Sequence, residues 1–96
     1  MRPEQIKLMG KKWSISYGGL KDDDLGESDL ENQHITVKNG LKPEQEKSTL
    51  LHECLHAISD TLGLNLTEKH VQGLETGLWA LLKDNPQFIS YLRRRK

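Results

Sequence analysis

TLLHECLHAI, residues 49–58, is the stretch that decides the architecture of this chain. It lies within residues 43–63, which have the features of one helix: Pro43 at the first helical position, acidic residues in the first turn and Gly63 in the place of a C-terminal cap. Apolar residues repeat at the 3.6-residue period and predict a buried stripe of Leu51, Leu55, Ile58 and Leu62. The sequence therefore predicts a helix of about twenty residues that packs against the rest of the domain.

Three ionisable residues interrupt this apolar pattern, namely His52, Glu53 and His56. Burying such groups costs free energy unless a partner or a metal ion compensates. Positions 52 and 56 differ by about 40° around a helix axis, so both imidazoles project from one face, one turn apart. This arrangement can chelate one Zn²⁺ ion. Glu53 is directed beside that ion, where a carboxylate can take a proton from water and pass it to a leaving amine.

The three residues form the pattern H-E-x-x-H, which is typical of zinc-dependent peptidases. The alternative interpretation is that His52, Glu53 and His56 are only the polar face of an amphipathic helix. The polar strip is narrow, however, because apolar residues surround it: Leu50, Leu51, Cys54 and Leu55. The pattern therefore favours a metal site with Glu53 as the general base.

A catalytic zinc ion needs a third protein ligand and an open position for water. The candidates lie on a second helix that begins after the N-cap residue Thr67, and they are Glu68, His70 and Glu75. A plain antiparallel hairpin of the two helices favours Glu75, whereas Glu68 requires the five-residue loop between the helices to reach back toward the metal. From the residues alone, Glu68 and Glu75 both remain candidates for the third ligand. His70 points away from the face that Glu68 and Glu75 share and is predicted to lie on the surface.

Roughly the first forty residues carry the period-two alternation of β-strands. One such stretch has three alternating apolar residues, Trp13, Ile15 and Tyr17. Residues 33–38 alternate again, and a turn is predicted at Asn39-Gly40. Residues 26–29 are predicted to form a short third strand or a connecting turn. Together these segments predict a small antiparallel sheet.

The C-terminal part predicts two further helices. The second helix has an apolar face of Val71, Leu74, Leu78, Leu81 and Leu82. Gly73 and Gly77 lie four residues apart on this helix and would let another element approach it closely. Pro86 begins a short last helix. The predicted fold class is α+β, with the small antiparallel sheet packed on the zinc-binding helix and two further helices on its other side, in a single domain over residues 1–96.

The composition limits the partners. The 96 residues are 34% hydrophobic with a mean hydropathy of −0.69, so the core is small and a bound ion would contribute to stability. The 14 basic and 14 acidic residues cancel, which argues against nucleic acid, with the terminal RRRK as the one contrary feature. No segment reaches the ~20 apolar residues of a membrane span. Together with the single cysteine, this predicts a cytoplasmic protein without membrane contact.

The strand-turn-strand lead, the segment LLHECLHAI and the segment LTEKHVQGLETGLWALLKDNP resemble the minimal phage-encoded zinc metallopeptidases, relatives of the ImmA/IrrE and SprT-like families. The resemblance covers residues 13–85. It implies a zincin-like fold, Zn²⁺ bound by His52 and His56, Glu53 as general base and an acidic third ligand at the start of the next helix, which is Glu68 with Glu75 as the alternative. It also implies a peptide or protein substrate and, for a phage-encoded chain, the host cytoplasm. The chain lacks the E-x-x-A-N-x-F-A run of the ImmA/IrrE members.

Several other residues have a possible role in or near the site. Tyr17 or Tyr91 could stabilise an oxyanion, and Asp60 could orient a ligand histidine. His34 is predicted to be an exposed sheet residue, with substrate contact from the rim as its functional alternative. Cys54 is predicted to be a small core residue. The alternative function for the whole chain is a non-catalytic, zinc-stabilised protein-interaction module, in which a fourth protein ligand closes the site.

Overall fold

The α+β class is confirmed by the computed structural model, which describes residues 2–21 and 23–95. Helix α1 lies between a sheet and helix α2, and helix α3 contacts α2 alone among the described elements. The elements in chain order are β1 (Gln5–Leu8), β2 (Lys11–Tyr17), β3 (Gly26–Asp29), β4 (His34–Val37), α1 (Pro43–Leu62), α2 (Glu68–Asp84) and α3 (Pro86–Arg93).

The sheet is mixed, so the prediction of an antiparallel sheet is wrong. Its strand order is β1-β2-β4-β3, and β2 pairs with β4 in parallel, with Ile15 opposite Ile35. The pairs β1–β2 and β3–β4 are antiparallel. The chain passes from β2 to the far edge of the sheet, forms β3 there and returns as β4 between β3 and β2. Period-two alternation reports which side chains share a face and carries no information on strand direction.

Strand β1 is not predicted from the sequence. It forms a hairpin with β2 in which Leu8 pairs with Lys11, so Met9 and Gly10 are the whole loop. Their φ angles are 47° and 81°, and positive φ at both positions is the requirement of a type I′ turn. Asn-Gly and Asp-Gly are the usual signals for this turn. Because methionine at the first position is not one of these signals, the sequence does not indicate the hairpin.

Helix α1 has the predicted bounds and the predicted cap. Gly63 adopts the left-handed conformation with φ 67°, and the N–H of Leu64 donates to the carbonyl oxygen of Ser59 at 2.9 Å. The predicted apolar stripe is correct at Leu55, which is buried, and wrong at Leu62, which is 56% exposed. The chain turns toward α2 directly after Leu62 and leaves this side chain uncovered, whereas Ser59 in the same turn is buried and its hydroxyl accepts the N–H of Leu66.

Helix α2 begins after Thr67, as predicted, and the Thr67 hydroxyl accepts the N–H of His70 at 3.2 Å. Of its predicted apolar face only Val71 is buried. No described element makes the close approach that Gly73 and Gly77 would allow, because a Cβ at either position would meet no atom within 4 Å. Helix α2 runs antiparallel to α1 and places Trp79 beside the N-terminal turn of α1. Its last turn therefore extends past the beginning of α1, where Leu81 and Leu82 are each 41% exposed.

The core lies between the sheet and α1. Its buried members come from β2, β4 and α1, and they are Trp13, Ile15, Ile35, Val37, Cys54 and Ala57. Fully burying a large apolar side chain stabilises the fold by about 1.5–3 kcal/mol. The small Cys54 and Ala57 let α1 lie close to the sheet, which confirms the core position of Cys54.

None of the helices in the described ranges combines the length and the apolar composition that a membrane crossing requires.

Candidate metal centre

Three side chains converge where α1 and the first turn of α2 meet. His52 and His56 lie one turn apart on α1, with their Nε2 atoms 3.2 Å from each other. Glu68 is the first residue of α2, and its carboxylate oxygens lie 2.6 Å from Nε2 of His52 and 3.1 Å from Nε2 of His56. The loop between the helices turns at Gly63 and Asn65, both with positive φ. This path brings the start of α2 back over the histidine pair.

The donor atoms of His52, His56 and Glu68 lie within 4.8 Å of one another, so the group could hold a metal ion. Ligand atoms placed about 2.0–2.1 Å from a tetrahedral ion are about 3.3 Å apart. The separations of 3.1 and 3.2 Å in the structure are close to this value, whereas the 2.6 Å between Nε2 of His52 and Oε1 of Glu68 is the shorter distance of a direct contact. Two imidazole nitrogens and one carboxylate are also the donor types that divalent transition metals bind. The residues present therefore fit such an ion.

Glu75 contacts His52 on the other ring nitrogen. Nδ1 of His52 donates to Oε1 of Glu75 at 2.8 Å, and the other ring nitrogen, Nε2, faces the cluster. Burial lowers the pKa of His52, but the Glu75 hydrogen bond and the charge of Glu68 outweigh burial and raise the pKa above its ordinary value. The structure therefore brings both carboxylates of the sequence prediction to His52, at opposite edges of one ring.

Glu53 lies beside this cluster on the side of α1 that faces β3. The residue is 6% exposed, and its carboxylate forms no hydrogen bond or ion pair with the described residues. Its oxygens are accessible from the cleft, because no fully buried side-chain oxygen among the described residues lacks a partner. Burial raises the pKa of this carboxyl, while the two neighbouring histidines lower it by a smaller amount. With no partner in the described fold, this carboxylate adds no polar contact that stabilises the domain, and it is accessible from the cleft.

A cleft of about 540 Å³ opens over the cluster. Its floor is α1, and its walls are α2 on one side and the chain that enters β3 on the other. The lining residues are Asp23, Asp24, Leu25, Gly26, Gln45, Ser48, Thr49, His52, Glu53, His56, Glu68, Gln72 and Glu75. His52, Glu53, His56, Glu68 and Glu75 therefore all face one cleft.

Two other candidates lie outside the cleft. His70 caps α2, because its Nδ1 accepts the N–H of Thr67 at 3.3 Å. It takes the place that Glu or Gln occupies in the usual capping box. Asp60 is exposed on α1 and does not line the cleft. His70 thus has a structural role at the surface, and Asp60 is not beside a ligand histidine.

The tyrosines and His34 also lie away from the cluster. The Tyr17 hydroxyl donates to the carbonyl oxygen of Pro3 at 2.6 Å, and Tyr91 is 63% exposed on α3. His34 lies on the face of the sheet opposite α1, where its two ring nitrogens contact the hydroxyls of Ser14 and Ser16. None of the three lines the cleft, so the neutral hydrogen-bond donors there are Gln45, Ser48, Thr49 and Gln72.

Gly26 is the site residue that sequence reasoning missed. A Cβ on Gly26 would lie 2.9 Å from Cγ2 of Thr49 and 3.0 Å from Cγ of Glu53. Only glycine permits β3 to approach α1 this closely. A glycine inside a strand signals a close backbone approach, so residues 26–29 did carry a signal for this contact.

The fold and the site together define a small α+β domain with a His-His-Glu cluster in an acidic cleft. Comparison of the chain with protein-family models, with curated proteins and with solved structures finds no match. The functional interpretation therefore rests on the geometry of the site.

Proposed function

We propose that this chain is a zinc-dependent peptidase with a zincin-like arrangement, in which His52, His56 and Glu68 bind Zn²⁺ and Glu53 is the general base. One observation carries the proposal: three converging metal donors share a cleft with Glu53, a largely buried residue whose carboxylate has no partner among the described residues and is accessible from the cleft. A purely structural metal site has no use for such a carboxylate, because burying it costs free energy. The relation to the phage-type metallopeptidases stays a prediction.

The chemistry divides between the ion and the chain. Zinc, when bound, supplies a Lewis acid that polarises a peptide carbonyl and makes water more acidic. Glu53 accepts the proton of the attacking water and later delivers it to the nitrogen of the leaving amine. One C–O bond forms, the C–N bond breaks, and the products are a carboxylic acid and an amine. The raised pKa of Glu53 suits a group that must both accept and donate a proton.

Glu75 supports a catalytic site over a closed structural one. Its carboxylate bonds Nδ1 of His52, so it orients this imidazole and does not point its hydrogen-bonded oxygen at the cluster. Three protein donors leave a position for water, which is the difference between catalytic and structural zinc sites. We therefore assign Glu75 as a positioning residue.

The free edge of β3 supports a peptide substrate. Among the described strands β3 pairs only with β4, and its first residue, Gly26, contacts Glu53. An extended peptide can add to such an edge through main-chain hydrogen bonds, which places its backbone beside the cluster. The single free Cys54 agrees with a reducing compartment, so we propose the cytoplasm as the location.

A protein-interaction module is the second candidate function, because α2 and α3 expose many apolar side chains. The large ones that are at least 40% exposed on these helices are Leu74, Leu81, Leu82, Phe88, Tyr91 and Leu92. Exposed apolar surface of this kind is common at protein–protein interfaces. In this case, the metal would stabilise the small core and no substrate would be cleaved.

The experiment compares the parent chain with Glu53→Gln and with Glu44→Gln, a control at an exposed position of the same helix that lines no part of the cleft. Each protein is assayed for bound zinc and then for digestion of casein and of a peptide library. We expect one zinc in all three and a loss of cleavage of about 10²-fold or more in Glu53→Gln alone. Equal cleavage by Glu53→Gln and the parent would remove Glu53 as the base. Bound zinc with no cleavage by any of them would favour the interaction module.

A further inference from the structure

The cleft concentrates negative charge although the chain as a whole is neutral. Its lining includes five carboxylates and no Lys or Arg among the described residues. The complete sequence, by contrast, has 14 basic and 14 acidic residues. A divalent ion balances only two of the five negative charges when all are ionised. Whatever enters the cleft therefore meets an excess of negative charge.

Two of the carboxylates, Asp23 and Asp24, lie on the loop before β3, at the rim of the cleft. Both residues are exposed, and neither side chain forms an ion pair or hydrogen bond with the described residues. Glu68 and Glu75 differ from them, because both contact His52. The two aspartates are therefore free to contact an incoming group.

A second feature of the cleft indicates a ligand independently of this acidic loop. Glu53 is 6% exposed as a residue and lines the cleft, and its carboxylate has no hydrogen-bond or ion-pair partner in the part of the chain that the structure describes. This carboxylate is therefore largely desolvated without a protein partner, which costs free energy, and it is accessible to a ligand from the cleft. The acidic rim lies beside this available carboxylate.

The direction of β3 determines which part of a bound peptide lies beside the acidic rim. Gly26, at the beginning of β3, contacts Glu53, and the strand runs from there away from the cleft. We take the peptide to pair antiparallel with β3, because β4 already pairs with β3 in this sense and antiparallel pairing is the more stable one per residue. Such a peptide runs from the Asp29 end toward Gly26 and then passes Asp24 and Asp23. Its scissile carbonyl lies near Glu53. The residues after the cleaved bond are therefore the ones that reach the two aspartates.

We propose, on the basis of the peptidase function above, that the cleft selects peptides with Lys or Arg in the first two positions after the cleaved bond, and that Asp23 and Asp24 bind these cations. Exposed ion pairs are weak individually, and salt screens them. Two aspartates acting together give a preference of about tenfold at low salt, which decreases in 0.5 M NaCl to about twofold.

The test uses matched fluorogenic peptides that differ only in Lys, Leu or Glu after the cleaved bond. The ratio of kcat/KM for the Lys and Leu peptides is measured for the parent chain and for Asp23→Asn/Asp24→Asn. We expect a ratio of about ten in the parent chain and near one in the double variant. The control is Glu31→Gln/Asp60→Asn, which removes two exposed charges outside the cleft and leaves the ratio unchanged. A ratio near one in the parent chain, or an unchanged ratio in Asp23→Asn/Asp24→Asn, would overturn the inference.

A binding measurement separates this inference from the peptidase proposal. Fluorescence anisotropy of the same labelled peptides is recorded with the zinc-loaded Glu53→Gln chain, with and without Asp23→Asn/Asp24→Asn. Tighter binding of the Lys peptide that depends on the two aspartates supports the basic-ligand preference even if no peptide is cleaved. Cleavage without any preference for the Lys peptide would support the peptidase function and rule out the proposed preference for basic residues. The absence of both cleavage and selective binding would reject both.

Discussion

Gly26 of β3 lies against Glu53 of α1, so closely that a Cβ on Gly26 would be 3.0 Å from Cγ and 3.1 Å from Oε2 of Glu53. This contact holds the free edge of the sheet beside the proposed general base. The same Cβ would be 2.9 Å from Cγ2 of Thr49, so the space for a side chain is blocked by two residues of the helix. The sheet edge and α1 can therefore lie this close only because position 26 has no side chain.

Gly26→Ala is expected to destabilise the fold by about 1–3 kcal/mol, because the added methyl group overpacks the interface between β3 and α1. Urea unfolding measures this change. Gly73→Ala is the matched control: no atom lies within 4 Å of its Cβ position, and alanine in a helix should stabilise by up to about 1 kcal/mol. In the double variant Gly26→Ala/Thr49→Ser, the removal of Cγ2 should restore part of the lost stability. Equal effects of Gly26→Ala and Gly73→Ala would contradict the contact.

Glu75→Ala is expected to weaken zinc binding by about 10–100-fold, because His52 would lose the acceptor that fixes its ring orientation. Competition with a chromogenic chelator measures the affinity. Glu75→Gln keeps an acceptor oxygen at the same distance and should lose less. Should Glu75→Ala bind zinc like the parent chain, the hydrogen bond to Nδ1 would have no orienting role.

Zinc should raise the thermal stability of the chain, because an ion that binds only the folded state stabilises it by mass action. At a free concentration of a thousand times Kd the gain is about 4 kcal/mol, which corresponds to a shift in Tm on the order of 20 °C for a domain of this size. Differential scanning fluorimetry with and without a chelator checks this. His52→Ala should abolish the shift, whereas His70→Ala, outside the cluster, should keep it. A Tm that does not change when zinc is added would rule out the proposed zinc site.

The Cys54 thiol should react slowly with thiol reagents in the folded protein. Cys54 is 7% exposed, and burial raises the pKa of its thiol to about 11. The unfolded thiol has the lower pKa and loses its proton first, so the free energy of unfolding should fall as pH rises from about 9 to about 11. Urea unfolding at pH 8, 9 and 10 measures the slope. Cys54→Ala should show a smaller slope, and rapid labelling of the native parent chain would contradict the burial.

The parts that depend on local spacing could be predicted from the sequence. Helix α1 begins at Pro43 and ends before Gly63 as predicted, because proline and a left-handed glycine act on their immediate neighbours. His52 and His56 face the same way because four residues on a helix make little more than one turn. The N-cap Thr67 also acts within its own turn. Each of these features involves residues within about five positions of one another.

The parts that depend on the path of the whole chain could not be predicted. The parallel pairing of β2 with β4 follows from the placement of β3 at the sheet edge, and side-chain alternation is the same for either direction. The exposure of Leu81 and Leu82 follows from the extension of α2 past α1, although their spacing is that of a buried face. Helical periodicity shows which residues share a face and does not show whether another element covers it.

The sequence by itself determined the helix, its ends and the two histidines that project from one turn of it, because these depend on the geometry of a single element. The tertiary structure decided which nitrogen of His52 each carboxylate contacts, and it brought Gly26 and the acidic loop to the same cleft. Those contacts join residues that are far apart in the sequence, and they depend on how the loops direct one element against another.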